Sequence, residues 1–462
     1  MRPFSMRDKL GYTLGDLGCC CTEQFRAMYL SVFYTLILQV NPFHIGILML
    51  ITKIWDAVND PIIGAIVDSR KATKGGKFIP WIRAFSFPMA VLCILGFVNV
   101  SNLAYGLRLA YMFVTYVLYE ALYTCVNVPF GTLSSVMTDD VRHRTALSRY
   151  RSLGGTIFMT VIVMVGPLVL YVDNKPVAGR FLMLASVFAL IGLLCLQITC
   201  VWCKERVAVP ERPKGEKLNY LHVIKEIAKN KALLGVMFFS LVGMIGASVV
   251  NGLNTYLFKD YFGNVKIMAV SGGLSVLYSL ITFAITQPLA DKLGKKEWCC
   301  WGAGFAAAVF ALLFFFPIHN PVLFIVINGV CYLGASGMQV LIWAMVNDSI
   351  DYHELQTGER NEGIVYSTYS FFRKLASGSL SSFVLGFIGY NVAEGAVQTA
   401  EVSNAIWKSY TGIYVLGYGV AVAILFFVYP LTKAKTTEML EQLKARRAEK
   451  ASAMETDGEQ CP

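Results

Sequence analysis

Residues 45–67 read IGILMLITKIWDAVNDPIIGAIV, a run long enough to cross a bilayer as one helix yet interrupted by two aspartates, Asp56 and Asp60, one helical turn apart. Asn59 stands between them on nearly the same face, because a helix turns once in about 3.6 residues. A carboxylate at membrane depth costs about 2.5–3.5 kcal/mol on insertion scales, so two on one face imply a bound cation or proton that offsets their charge. Together the three side chains offer hard oxygen ligands suited to Na⁺, Li⁺ or H⁺. The alternative is a carboxylate pair salt-bridged to a basic residue of the bundle. The first reading points to transport.

Composition agrees with a membrane setting. Hydrophobic residues make up 56% of the 462-residue chain and charged residues 15%, against about 25% charged in a soluble domain, and the mean hydropathy is +0.55. Apolar stretches matching the ~20 residues of a spanning helix fall at 13–38, 45–67, 80–100, 104–136, 152–172, 180–203, 232–258, 268–290, 298–316, 320–346, 364–390 and 408–431. The expectation is an all-α integral membrane protein of about twelve transmembrane helices.

Lys and Arg set its orientation. The N-terminus (Arg2, Arg7, Lys9), the connection after helix 2 (Arg70, Lys71, Lys74, Lys77), the one after helix 4 (Arg142, Arg144, Arg149) and the stretch 204–231 are basic, whereas the loops at 39–43, 101–103 and 317–321 carry neither residue. Both termini are therefore expected in the cytoplasm, with the chain in the cell (inner or plasma) membrane. These loops and a solvated basic tail account for the net charge of +10 without nucleic acid, and they favour contact with anionic lipid headgroups. The first helix is too long and too polar at its start for a cleaved signal peptide. Of twelve cysteines, Cys19–Cys21 and Cys299–Cys300 are adjacent within helices and read as reduced packing residues. No zinc spacing, nucleophile–base set, cofactor fingerprint or phosphate loop is present, so neither an enzyme nor an ATP-driven pump is expected, and no cofactor beyond a coupling cation.

The polar segment 204–231, with Pro210, Pro213 and Gly215, separates six spans from six. The expected organisation is an N-terminal half at 1–203, a cytoplasmic linker at 204–231, a C-terminal half at 232–433 and a tail at 434–462. Two six-helix halves match the major facilitator architecture, in which the halves rock around a midplane site. An internal echo supports it: Gly64, Asp68, Gly76 and Lys77 after helix 2 correspond to Ala290, Asp291, Gly294 and Lys295 after helix 8.

The segments WDAVNDP (55–61), GKFIPW (76–81), NVPFGTLSSVMTDD (127–140), RYR (149–151) and MVNDSIDYHELQTGERNEGIVYSTYSFFRK (345–374) resemble the signature segments of the glycoside–pentoside–hexuronide cation symporters, the melibiose carrier's family. The resemblance runs in order to about Pro430. It implies a secondary symporter that imports a sugar or glycoside with Na⁺, Li⁺ or H⁺. It also implies that Asp56, Asn59, Asp60 and Thr124 hold the cation, that Arg151 and Lys374 approach the sugar, and that Asp68, Asp348, Asp351, Glu354 and Arg360 pair charges at a cytoplasmic gate, the last four from the connection between helices 10 and 11.

Departures from the family pattern bear on the substrate. Two carboxylates that grip sugar hydroxyls in the melibiose carrier correspond to Cys20 and Asn127 here, and two aromatics correspond to Gly131 and Gln339, with Trp343 one turn beyond. An amide both donates to and accepts from hydroxyls. Glu23 and Arg26 in helix 1, and Glu120 one turn before Thr124, are added intramembrane charges and so candidates for function. They fit a hexuronide or other charged glycoside, or else they neutralise one another. Tyr29, Tyr34, Tyr116, Tyr366 and Tyr369 are candidate cavity aromatics. A non-sugar solute, lipid or drug carried on the same fold is the alternative.

Overall fold

The computed structural model describes residues 3–69, 75–138, 140–207, 230–357, 380–393, 396–443 and 445. Its helices are α1 (Met6–Leu36), α2 (Pro42–Ser69), α3 (Ile79–Leu95), α4 (Tyr105–Met137), α5 (Val141–Leu170), α6 (Ala178–Trp202), α7 (Lys231–Tyr256), α8 (Ile267–Leu293), α9 (Lys295–Phe315), α10 (Pro321–Ala335), α11 (Gly337–Thr357), α12 (Ser381–Phe387) and α13 (Ala400–Phe427). Among the described residues, eight helical stretches are long and apolar enough to cross a membrane, α10 and α11 forming one of them across Ser336. Helices α1 and α2, of 31 and 28 residues, have the length but carry charged residues along it. Most of the expected eleventh span lies outside the described residues, and α12 is its end.

The chain divides into two compact units. The first comprises Met1–Lys214, Asn251–Gly273 and Gly378–Trp407, and the second Gly215–Val250, Leu274–Ser377 and Lys408–Pro462. The boundary between units thus cuts through α7, α8 and α13.

In the first unit α1 lies against α5 and α6, α3 against α4 and α6, and α2 against α4. Lipid is as apolar as the helix surfaces, so close packing rather than the hydrophobic effect holds such helices together, and small residues at crossings permit it. At Gly18 an added Cβ would stand 2.8 Å from the Gly192 carbonyl oxygen. The buried aromatics Phe25, Phe33, Phe97 and Phe181 fill the layer beside this crossing.

One end of this unit is tied by charge. The Glu205 carboxylate accepts the backbone N–H groups of Lys77, Phe78 and Ile79, each at 2.8 Å, and so caps the start of α3. Arg206 donates through Nη2 to both oxygens of the fully buried Asp8, at 2.9 and 3.0 Å, and through Nη1 to the Met137 carbonyl at 3.2 Å. The N-terminus, the α2–α3 connection and the ends of α4 and α6 therefore share one end of the unit, as the basic residues in them implied.

At the other end, α5 and α6 are joined by a hairpin of two-residue strands, β1 (Tyr171–Val172) and β2 (Lys175–Pro176). Its turn residues Asp173 and Asn174 have φ of 47° and 63°, the left-handed conformation that two-residue hairpins favour. Asn174 Nδ2 donates to the Lys259 carbonyl at 2.9 Å in a π-helical turn (Leu257–Tyr261) that ends α7, and its Oδ1 accepts from Val265 N–H at 3.0 Å. Beside it the Tyr390 hydroxyl donates to Asp260 Oδ2 at 2.7 Å. Burial, and then the Asp260 carboxylate, push the Tyr390 phenol far above its ordinary range, so it remains a donor.

The core of the second unit runs through Leu233, Met237, Cys299, Leu341, Met345 and Leu425. Here α9 meets α10 backbone to backbone: a Cβ on Gly302 would come within 2.2 Å of the Gly334 carbonyl oxygen. Gly302→Ala is expected to push these helices apart and destabilise the protein by about 1–3 kcal/mol, read as a lowered thermal transition in detergent; an unchanged transition would show that the crossing can yield.

The echo between the halves extends to the backbone. Gly76 and Gly294 stand just before α3 and α9, with φ of 104° and 111°, a region that favours glycine.

Three expectations are corrected. Asp348, Asp351 and Glu354 lie within α11, not in a connection after it, because the helix continues eleven residues beyond the apolar run ending at 346. The expected tenth span falls within one helical stretch, Pro321–Gln356, with a turn at Ser336, whose hydroxyl donates to the Tyr332 carbonyl at 2.5 Å and pairs with Thr282 at 2.9 Å. The fifth helix starts at Val141, eleven residues before its apolar run. The tail is not wholly solvated, since 433–443 is helical and buries Met439 and Leu443 in the core of the second unit. All cysteines among the described residues are free thiols, mostly buried.

Candidate functional site

Six of the site residues expected from sequence come together where α2 packs on α1 and α4. Thr124 donates its hydroxyl to Asp60 Oδ1 at 3.0 Å, joining α4 to α2. Asp56 accepts from the ammonium of Lys53, one turn earlier on the same helix, at 3.2 Å on Oδ2, while its buried Oδ1 has no hydrogen-bond partner. Asn59 is 6% exposed, and its Nδ2 is likewise without a partner. Glu120 is buried one turn before Thr124, and together with Glu23 and Asp56 it is among the carboxylates that act on Lys53. Asp56 thus has a basic partner on its own helix, and Asp60 accepts from a hydroxyl of α4.

Arg26, expected near the substrate, is buried among aromatics. Its guanidinium lies over the Tyr119 ring at 3.7 Å and near Tyr116 at 5.1 Å, a cation–π stack. The residue is 2% exposed, and Nε, Nη1 and Nη2 make no hydrogen bond. An added Cβ on Gly96 would stand 2.7 Å from Nη1, so the side chain is sealed between α1, α3 and α4. Glu23 has one buried oxygen, Oε2, without a hydrogen-bond partner, so the close Glu23–Arg26 ion pair considered from sequence is not formed. Tyr29 and Tyr34 are also fully buried, with unpartnered hydroxyls, and pack between helices.

A second cluster lies where α5 crosses α1. Arg151 Nε donates to Asp16 Oδ1 at 3.0 Å, and Asp16 Oδ2 accepts from the Gly155 N–H, also at 3.0 Å. The half-buried Cys20 directs its thiol to Asp16 Oδ2 at 3.9 Å. The Arg151 guanidinium stands 5.3 Å from the centre of the Phe130 ring, and a Cβ on Gly131 would lie 3.7 Å from Nη1. Asn127 is half-buried on α4, one turn before Gly131.

Asp16 and Lys53 were missed by the sequence reasoning. The signal was available, since each is an ionisable residue inside a spanning helix, and Lys53 sits at i−3 from Asp56, where side chains meet on a helix.

Gln339 is exposed and Trp343 half-buried on α11, in the second unit. Asp348 is held there by Lys295 of α9, at 2.8 and 2.7 Å to its two oxygens. Asp68 is in the last turn of α2, with its side chain outside the description. Tyr366, Tyr369, Lys374 and Arg360 lie outside the described residues.

Chemically, the first cluster can exchange a hard cation among carboxylate and hydroxyl oxygens, and the second presents a fixed guanidinium fork. A family model described as MFS/sugar transport protein matches residues 11–433. An uncharacterised symporter of Bacillus subtilis strain 168 is 31% identical over 446 residues, covering 95% of each chain. The isoprimeverose transporter of Lactiplantibacillus pentosus is 29% identical over 454 residues, 96% of this chain and 93% of its own. Among solved structures, a D-xylose-proton symporter superposes with a TM-score of 0.59 at 14% identity over 92% of this chain and 98% of its own. The nucleoside transporter NupG gives 0.59 at 14% identity over 94% and 99%. At that identity the likeness carries the fold alone.

Proposed function

Because the chain belongs to the MFS/sugar transport family, with its all-α membrane fold, we propose that it imports a sugar or glycoside together with a cation by alternating access, through the cell membrane and with both termini in the cytoplasm. The names of its relatives, as symporters and sugar transporters, support that substrate class. The observation that carries the coupling is the bond from Thr124 to Asp60, set beside the unpartnered Oδ1 of Asp56. A cation that enters there draws α2 and α4 together through oxygens of both helices.

Lys53 supplies positive charge to Asp56 while no cation is bound, and the incoming cation competes with it. Three intramembrane carboxylates, Glu23, Asp56 and Glu120, act on that ammonium, Asp56 by direct contact, so a second positive charge is favoured near them even when Lys53 is in place. Binding of the cation raises substrate affinity, and by linkage the substrate raises cation affinity by the same factor. Na⁺, Li⁺ and H⁺ all suit oxygen ligands of this kind.

The test is uptake by proteoliposomes of labelled glycosides, pentosides and hexuronides under imposed Na⁺, Li⁺ or H⁺ gradients, with Asp56→Cys as control. Accumulation that follows one gradient and disappears in the control identifies both ligands. Equal uptake with and without every gradient rules out symport.

A further inference from the structure

The ion pair between Asp16 and Arg151 is not used by the coupling mechanism, yet both of its partners are held in place where α1 meets α5. Both oxygens of Asp16 are engaged, one by Arg151 Nε and one by the Gly155 N–H, each at 3.0 Å. Gly154 and Gly155 make this reach possible. A Cβ on Gly154 would come within 2.5 Å of the Thr13 carbonyl oxygen, and one on Gly155 within 3.2 Å of Asp16 Oδ2. At the same crossing the Thr13 hydroxyl donates to the Tyr150 carbonyl at 2.9 Å. The two helices therefore hold the carboxylate rigidly.

The exposure of the pair is asymmetric, with the Asp16 side chain 13% exposed and the Arg151 side chain 38%. Asp16 grips the inner nitrogen, Nε, and Nη1 lies beside Gly131, which has no side chain to cover it. A guanidinium held at Nε keeps its Nη pair as a planar fork that matches two ligand oxygens side by side. The carboxylate also offsets the charge of Arg151, so a ligand without charge can bind the fork without leaving an unpaired cation.

We propose that Asp16 is the positioning residue for Arg151, fixing its fork for a pair of adjacent substrate oxygens, either two vicinal sugar hydroxyls or the carboxylate of a uronate. The assignment rests on the reading of the protein as a sugar symporter. In that role Asp16 determines how tightly the substrate is held and leaves the coupling cation to the α2–α4 cluster.

The experiment uses the full chain in proteoliposomes, with the sugar that the wild type accumulates and its coupling cation at saturation. Asp16→Asn keeps the size of the side chain and an acceptor for Gly155 but loses the charge. It is expected to raise KM about tenfold, the loss of one charge-assisted hydrogen bond, with Vmax and the half-saturating cation concentration within about twofold of wild type. Asp16→Glu, which keeps the carboxylate on a longer stem, is expected to fall between the two and also serves if the Asn variant fails to fold. In an Arg151→Lys background, Asp16→Asn is expected to add less than about twofold, because residues that act as one unit are not additive.

Two substrate arms separate the sources of the oxygens. If they are hydroxyls, a deoxy analogue lacking one of them loses its sensitivity to Asp16; if they are a carboxylate, the uronate is sensitive and the neutral sugar is not. An unchanged KM in Asp16→Asn, full multiplication of the two substitutions, or a fall in Vmax and protein yield at constant KM overturns the assignment while sugar symport stands. Absence of any sugar uptake by the wild type overturns both.

Discussion

Asp60→Asn is expected to abolish uphill transport while leaving the protein folded and able to exchange substrate down its gradient. A membrane potential of 100 mV contributes about 2.3 kcal/mol per charge moved, which corresponds to roughly fifty-fold accumulation for one cation per substrate. The variant is expected to bring the internal substrate concentration to no more than the external one. The reason lies in the bond that Asp60 makes. Its Oδ1 accepts the Thr124 hydroxyl at 3.0 Å, and an asparagine oxygen can accept the same bond, so packing of α2 on α4 is retained. What is lost is one of the two negative charges of the pair, and Asp56, which also faces Lys53, is left to balance the cation alone. Counterflow of labelled substrate in the absence of a gradient measures the retained exchange. Normal accumulation by Asp60→Asn would refute the placement of the cation on this face of α2.

How much of this was legible in the sequence depended on what hydropathy registers. The second span was expected at 45–67 and the helix runs from Pro42 to Ser69, because both ends of that run are bounded by strongly polar or turn-forming residues. The fifth and tenth spans were displaced for the opposite reason. The helical backbone continues past the apolar runs at Val141–Arg151 and Asp348–Glu354, where hydrogen bonds propagate although the residues are no longer apolar. The turn at Ser336 is a feature of packing: Gly334 abuts Gly302, and a Cβ on Gly337 would stand 2.4 Å from Trp298 Nε1, contacts that no single-sequence pattern encodes.

The hairpin at 171–176 had a signal in its Asp–Asn pair, but its strands of two residues are shorter than any alternation can reveal. At the site, the motif fixed attention on Asp56 and Asp60, while Lys53 and Asp16 needed only the general rule that a charge inside a span has a partner. The fate of Arg26 was not readable at all. Whether a mid-helix arginine faces a substrate or stacks on Tyr119 is decided by the rotation of α1 against α3 and α4, which the apolar surroundings of both faces leave unspecified.

The largest effect on stability is expected from Asp8→Ala. Asp8 is fully buried, and its carboxylate receives Arg206 Nη2 on both oxygens and the Ser5 N–H at 3.1 Å. Truncation removes the carboxylate that accepts from a guanidinium only 14% exposed, and removal of one partner from a buried ion pair costs about 3–5 kcal/mol. The loss is not confined to one helix. Arg206 also donates to the carbonyl of Met137, and its neighbour Glu205 caps α3, so the start of the segment after α6 holds α1, α3 and α4 together at this end. Asp8→Ala is therefore expected to shorten the half-life of the purified protein in detergent far more than Asp8→Asn, which keeps an acceptor for Nη2. Asp8→Ala combined with Arg206→Leu is expected to recover part of the loss, because no buried charge then remains unpaired. If the double variant is as unstable as the sum of the two single ones, the effect comes from packing of the stems and not from the stranded charge. If Asp8→Ala alone is as stable as the wild type, Glu205 suffices to hold this end of the first unit, and the ion pair contributes orientation without stability.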